Sequence, residues 1–217
     1  MTPRRRTKRE YHHGDLRNAL IDAALSTLET RGWHELSLRD VARQAGVSHT
    51  APYRHFASKE ALLAALAGVG YTELADTMEA AVRASPGDPA AQLRGTGRAY
   101  VSLALRRPAL FRLMFSGAIC SIPPGGTFSE VAGRSFALLV RLITEGQAAG
   151  VLREGPPEQA ALTAWSTVHG LGLLLLERQL DVLGETPIDP MLLVDATTER
   201  LNAGLATGRA SKRRRSG

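Results

Sequence analysis

The stretch SLRDVARQAGVSHTAPYRHFASKEALL, Ser37 to Leu63, decides how this chain is read. Leu38, Val41, Ala42 and Ala45 fall at i, i+3, i+4 and i+7, one apolar stripe of a short helix. Ser37 supplies an N-cap, and Asp40 three residues on stands in for the Glu of a capping box. Gly46 suits the left-handed position that ends a helix. Ser48 caps a second short helix, about His49 to Phe56, and Ser58 a longer one that Leu62, Leu63, Leu66 and Val69 carry towards Ala84. Two short helices joined through Ala45-Gly46-Val47-Ser48 make a helix-turn-helix candidate. Ala42 is small where the helices approach, Val47 fills the angle between them, and Phe56 with Leu16 and Leu20 buries the rear face. His49, Thr50, Tyr53, Arg54 and His55 then point outward, a polar and basic set of the kind a recognition helix presents to base edges. Spacing alone fits an ordinary α-hairpin with a polar surface equally well.

Working outward, turn residues cut the chain into helix-length blocks. Gly32, Gly46, Ser85 to Pro89, Pro108, Cys120 to Gly126, Gly150, Gly155 to Pro157 and Gly184 to Pro187 are the breaks. Upstream, Leu16, Leu20, Ala24 and Leu28 run at i+4 steps behind Asp15, read as the N-cap of a helix reaching about Thr30. No sustained two-residue alternation bounded by hairpin turns is present. The chain reads all-α.

At 217 residues, 44% hydrophobic and 22% charged, the composition is that of a globular protein. The single cysteine, Cys120, excludes an internal disulfide and a Cys-rich metal site. The longest unbroken apolar run, Gly170–Leu176, is far short of the ~20 residues that span a bilayer, and no apolar segment follows the basic start as in a secretory signal. A soluble cytoplasmic protein without a membrane partner is the expectation. The net charge of +6 is unevenly spread. Residues 1–60 carry 11 Lys and Arg against 7 Asp and Glu, 61–208 carry 11 against 14, and 209–217 carry 5 against none. Basic ends on a mildly acidic body suggest a polyanion, either nucleic acid or anionic lipid.

The combination of Val41-Ala42-x-x-Ala45-Gly46-Val47-Ser48, then Tyr53-Arg54-His55-Phe56, then Ser58-Lys59-Glu60-x-Leu62 resembles the DNA-binding domain of TetR-family transcriptional regulators. The resemblance covers about residues 14–74. It implies a three-helix head at 14–74 with its helix-turn-helix at 37–56, and a helical ligand-binding and dimerisation body at 75–208. A basic arm, 1–13, and a basic tail, 209–217, flank them. It implies phosphate contacts from Ser48, Tyr53, His55 and Lys59, base-edge contacts mainly from His49 and Thr50, and a backbone contact from Arg39. Hydroxyl, imidazole and ammonium groups can all donate to phosphate oxygens. One departure is Pro52, where an apolar residue such as Leu usually precedes the Tyr. As the fourth residue of a helix capped by Ser48 it would crowd the cap carbonyl. Trp165-x-x-x-His169-Gly170 and Leu110 to Phe115 further resemble one subgroup of these regulators.

In the body, residues from about Glu158 to Leu180 are apolar on nearly every side, as a helix buried on all sides must be. Met191–Leu205 is a second apolar block. Both read either as core or as a surface between two subunits, and the resemblance favours the latter. Phe111, Met114, Phe115, Trp165 and His169 are candidate walls of an apolar pocket, each of them equally serviceable as core. The expected partners are double-stranded operator DNA, a small-molecule effector and a second copy of the chain. No cofactor and no metal are expected, since no His or Cys pairs occur at ligand-like spacing. Enzyme motifs fail in context: Gly133-Arg-Ser-Phe-Ala137 lacks the second glycine and preceding strand of a nucleophile elbow, and Gly170-x-Gly172 lacks the rest of a dinucleotide fingerprint. The reading is a homodimeric, ligand-released repressor; the alternative is a protein that compacts DNA without sequence preference or binds anionic surfaces.

Overall fold

Capping chemistry places the second helix where the sequence predicts it. In the computed structural model, which describes residues 13–120, 126–183 and 189–207, Ser37 has extended backbone and its Oγ accepts from the Asp40 amide. Helix α1 spans His13–Arg31, α2 Leu38–Gln44, α3 Lys59–Arg83, α4 Pro89–Arg106 and α5 Pro108–Met114. A short α6 (Gly117–Cys120) follows, then α7 (Gly126–Ala148), α8 (Pro157–Leu176) and α9 (Pro190–Leu205). Among the described residues the only strand-like pairing is one antiparallel bridge, Leu152 with Ala206. The basic arm up to residue 12, the basic tail and most of the expected turns at 120–126 and 184–187 lie outside the described residues.

The amino-terminal helices form by local rules. Gly32 and Gly46 take positive φ, 77° and 69°, and end α1 and α2. Helix α1 begins at His13, so Asp15 is a first-turn residue and not the cap; helix ends are soft over a residue or two. Leu20, Ala24 and Leu28 of α1 are fully buried, in one hydrophobic core with Val41 of α2 and with Phe56. Thr27 Oγ1 donates to Gln44 Oε1 at 2.7 Å and ties α1 to α2.

The main correction concerns the second helix of the pair. Residues 49–56 do not form an α-helix: they hold one 3-10 turn, Ala51–Arg54, preceded by Thr50, whose side chain makes no cap bond. Pro52 is the reason. Its fixed φ and missing N–H are tolerated only in a first turn, so the turn starts two residues later than Ser48 would set it. Pro52 is buried and its carbonyl accepts from the amides of His55 and Phe56, each at 2.9 Å. Ser58 then caps α3 through the Ala61 amide.

Helix α3 runs unbroken through residue 74 and packs on both α1 and the body helices α4, α5 and α7. One hydrophobic core therefore extends from Leu20 to Val194. The α4–α5 corner bridges the two parts by charge, since Arg107 reaches Glu29 of α1 (3.1 Å) and Glu73 of α3 (3.3 Å). Glycines permit the tightest approach in the body. A Cβ on Gly97 of α4 would lie 2.8 Å from Thr198 Cγ2 of α9. Helix α8 is long and apolar enough to cross a membrane, although its unbroken apolar run is short. It packs on α4, α7 and α9, and Ala161, Ala164, Val168 and Gly172 are buried there. Its opposite face, with Leu162 and Leu174, is exposed in the single chain.

Candidate nucleic-acid interface and body cavity

The polar set of the head is held on a short, rigid platform. Phe56 and Pro52 are buried beneath it, and the Arg17 guanidinium lies 5.4 Å from the Phe56 ring centroid. Above them Arg39, Ser48, His49, Thr50 and Arg54 are exposed, Tyr53 is 52% exposed and His55 is half-buried. Ser48 Oγ and Thr50 Oγ1 are 3.2 Å apart, which pairs the two hydroxyls at the start of the turn. The loss of α-helix at His49 and Thr50 puts both in the loop leading into the 3-10 turn. Asp40 is held below the usual carboxylate range, first by the Ser37 hydroxyl and then by Arg43 and Arg31. That cap keeps the preceding helix fixed.

Lys59 is placed by a contact that its sequence neighbourhood does not reveal. Its Nζ donates to the His34 carbonyl at 2.7 Å, across 25 residues. Two ammonium protons remain for an anion. His34 itself stacks on Trp33, with ring centroids 3.6 Å apart.

The body contains a cavity of about 210 Å³. Tyr71, Leu74 and Met78 of α3, Tyr100 of α4, Phe136 and Leu139 of α7, and Trp165 and Val168 of α8 border it. Of the five residues predicted for a pocket wall, Phe115 and Trp165 lie on its border. Phe111 and Met114 are fully buried behind it, and His169 is not on its border. The sequence does not reveal the contributions of α3, α4 and α7. No local signal marks them, because one apolar residue on a core-facing stripe looks like any other.

Tyr100 explains why Trp165 and His169 occur together. The indole N–H of Trp165 donates to Tyr100 Oη at 3.0 Å, and Tyr100 Oη lies 2.7 Å from His169 Nδ1. Indole is a donor only. The indole N–H, the tyrosine hydroxyl and Nδ1 are all used when the tyrosine proton goes to Nδ1 and the imidazole is neutral. Burial pushes the Tyr100 hydroxyl well above its ordinary range and holds His169 below the usual imidazole value of 6.5. Tyr71, also on the cavity border, is pushed up to about 12, mainly by burial, and its hydroxyl donates to the Met114 carbonyl at 2.7 Å.

A pH prediction follows with its sign. A depressed folded value means that the unfolded chain takes up the proton first as pH falls. The His169 contribution is therefore complete above about pH 6.5 and is lost as pH drops below it. Urea unfolding at about pH 7.5 and 5.5 should show that loss, and His169→Gln should shrink the difference. An unchanged pH difference in the variant would place the sensitivity elsewhere.

Comparison with known proteins agrees with these two regions. Residues 20–66 match the family model for bacterial regulatory proteins of the tetR family, and residues 93–201 match the model for the tetracyclin repressor-like C-terminal domain. A solved structure of a protein of unknown function from Rhodococcus sp. RHA1 is 38% identical, with a TM-score of 0.81 over 92% of this chain and 100% of that one. The HTH-type transcriptional regulator EthR of Mycolicibacterium smegmatis is 33% identical over 93 residues, which is 43% of this chain and 43% of EthR. The match thus spans under half of that curated relative. PfmR of Thermus thermophilus, a TetR-family transcriptional regulator, is 22% identical with a TM-score of 0.64 over 87% of this chain and 99% of its own. That likeness shows the fold.

Proposed function

We propose, from the premise that this chain belongs to the TetR family of bacterial regulatory proteins, that it is a homodimeric repressor released from a palindromic operator by a small, mostly apolar effector. It acts in the cytoplasm on double-stranded DNA and catalyses no reaction. The observation that carries this is the exposed set Arg39, Ser48, His49, Thr50 and Tyr53, held over the buried Pro52 and Phe56. Phosphate contacts from Ser48, Tyr53, His55 and Lys59 would set the register, and His49 and Thr50 would meet base edges.

The unpartnered face of α8 supports a dimer. Leu162, Ser166, Gly170 and Leu174 fall on one broad outer side at 100° per residue, and a Cβ on Gly170 would meet nothing within 4 Å among the described residues. Exposed Leu192 of α9 adds to it. The shared hydrogen bonding of Trp165 and His169 to Tyr100 supports placing the chain in the subgroup with the Trp-x-x-x-His-Gly element. The cavity beside them is the effector site in this reading. An effector can release DNA only by binding better to the dimer whose heads are wrongly spaced, and operator must weaken effector binding by the same factor.

Selection of bound duplexes from a random pool tests the reading, and a two-fold symmetric site is the expected outcome. On that site Lys59→Ala should weaken matched and mismatched duplexes alike and reduce the salt slope by about one. His49→Ala or Thr50→Ala should relax preference at particular base pairs, each by roughly 1–3 kcal/mol. Affinity independent of duplex sequence would return the DNA-compacting alternative.

A further inference from the structure

The body cavity is small enough to bound what fills it. Its volume is about 210 Å³. A dry cavity of ~150 Å³ walled by Leu, Ile and Phe takes one benzene ring, and a water-sized group has a share of ~30 Å³. The space here therefore suits one six-membered ring with about two further non-hydrogen atoms.

The walls bound the chemistry. Five of the eleven aromatic residues in the chain border this one space: Tyr71, Tyr100, Phe115, Phe136 and Trp165. They form a connected set. The Phe115 ring centroid lies 5.8 Å from that of Tyr71, 6.2 Å from Tyr100 and 6.3 Å from Trp165, and Trp165 lies 6.0 Å from Phe136. The angles between these rings run from 41° to 79°, so they meet tilted or edge-on. Rings at such distances attract one another beyond the area they bury, and a ligand ring joins the set on the same terms. An aliphatic ligand gains burial alone.

The polar ends of the wall are already engaged. Tyr71 and Trp165 donate to the Met114 carbonyl and to Tyr100 Oη, and the Tyr100 proton goes to His169. Thr96 Oγ1 and Thr198 Oγ1 donate to the Leu93 and Val194 carbonyls of their own helices, both at 2.8 Å. Ser135 Oγ and Asn202 Oδ1 are closed to water and do not face the space. Among the described residues no Asp, Glu, Lys, Arg or His borders it. A charged ligand would lose its water and find no counter-charge there.

Resting on the reading of the body as an effector site, we propose that the cavity takes an uncharged molecule built on a single aromatic ring with one or two small substituents, as in an alkylbenzene. Linked ring pairs are too large for it, and aromatic acids are excluded by their charge.

Calorimetric titration of the full chain with ethylbenzene, biphenyl, benzoate and ethylcyclohexane tests size, charge and aromaticity. Ethylbenzene should bind, benzoate more than about a hundredfold more weakly and biphenyl at least about tenfold more weakly. Ethylcyclohexane leaves water more readily than ethylbenzene, so aromaticity is read from a variant and not from the two affinities directly. Phe136→Leu should weaken ethylbenzene about three- to tenfold and leave ethylcyclohexane within about twofold. Ala132→Leu, on the same border, should weaken both by at least about tenfold by filling the space. It ties binding to this cavity and keeps the test open if the Phe136 variant fails to fold. No binding of ethylbenzene, benzoate or biphenyl as tight as ethylbenzene, equal loss of both hydrocarbons in Phe136→Leu, or no loss in Ala132→Leu would overturn the proposal. Selective binding of ethylbenzene that leaves operator affinity unchanged would keep this proposal and remove effector release. Release of operator by benzoate or biphenyl and not by ethylbenzene would do the reverse.

Discussion

Leu174→Glu combined with Leu192→Glu is expected to leave a folded monomer that has lost specific DNA binding. Leu174 is 38% exposed and Leu192 is 66% exposed in the single chain, so neither charge enters the core. In a dimer closed by α8 and α9, both would be taken out of water against an apolar partner surface, and two like charges would meet their symmetry mates. Leu173 is the poorer choice for this test, since it is half-buried and packs on its own core. A monomer can engage only one half-site, and specific sites are commonly bound about 10³-fold or more tighter than nonspecific ones. A loss of roughly that size is expected in titrations of the selected duplex. Sedimentation equilibrium should report a monomer while the helical circular dichroism is retained. A variant that stays dimeric with full operator affinity would move the interface to another face.

The second large effect is expected at Phe111. Its side chain is fully buried, with ring centroids 4.9 Å from Phe115 and 5.5 Å from Tyr100. Leu110, Leu113 and Met114 around it in α5 are equally inaccessible. Phe111→Ala should therefore cost about 3–5 kcal/mol through lost transfer energy and an unfilled hole, a large part of the ~5–15 kcal/mol that holds a domain together. Urea unfolding would show this as a lower midpoint at an unchanged slope. Phe115→Ala should cost less, because Phe115 is half-buried and borders space that is already open. A Phe111 variant as stable as the parent would mean that this ring packs loosely and belongs to the cavity after all.

How much of this was legible in the sequence depended on how local each cause was. Ser37, Gly46 and Ser58 act within a few residues of themselves, so the bounds of α2 and the start of α3 were readable from spacing. Helix α1 was readable from its i+4 stripe, to within a turn at its start. Pro52 was also local, and its crowding of the cap carbonyl marked a disturbed helix. What it left undecided was how much helix survives after it, and the answer is a single 3-10 turn.

The sequence alone determined the all-helical class, the order of the blocks and the surface set in the head. It could do so because a caps-and-stripe pattern is decided by neighbours three or four residues apart. Tertiary structure alone decided which aromatic residues are core and which border a cavity. Phe111 and Phe115 are one turn apart in the sequence, yet their difference is set by α4, α7 and α8 arriving from elsewhere in the chain. The same holds for polar groups. Trp165 and His169 were visible as an i, i+4 pair, but their common partner, Tyr100, lies 65 and 69 residues upstream. Ser135 Oγ and Asn202 Oδ1 become notable only once packing has left both buried without a hydrogen-bond partner among the described residues. A residue's type states what it can bond to, and only the assembled core states what it is left without.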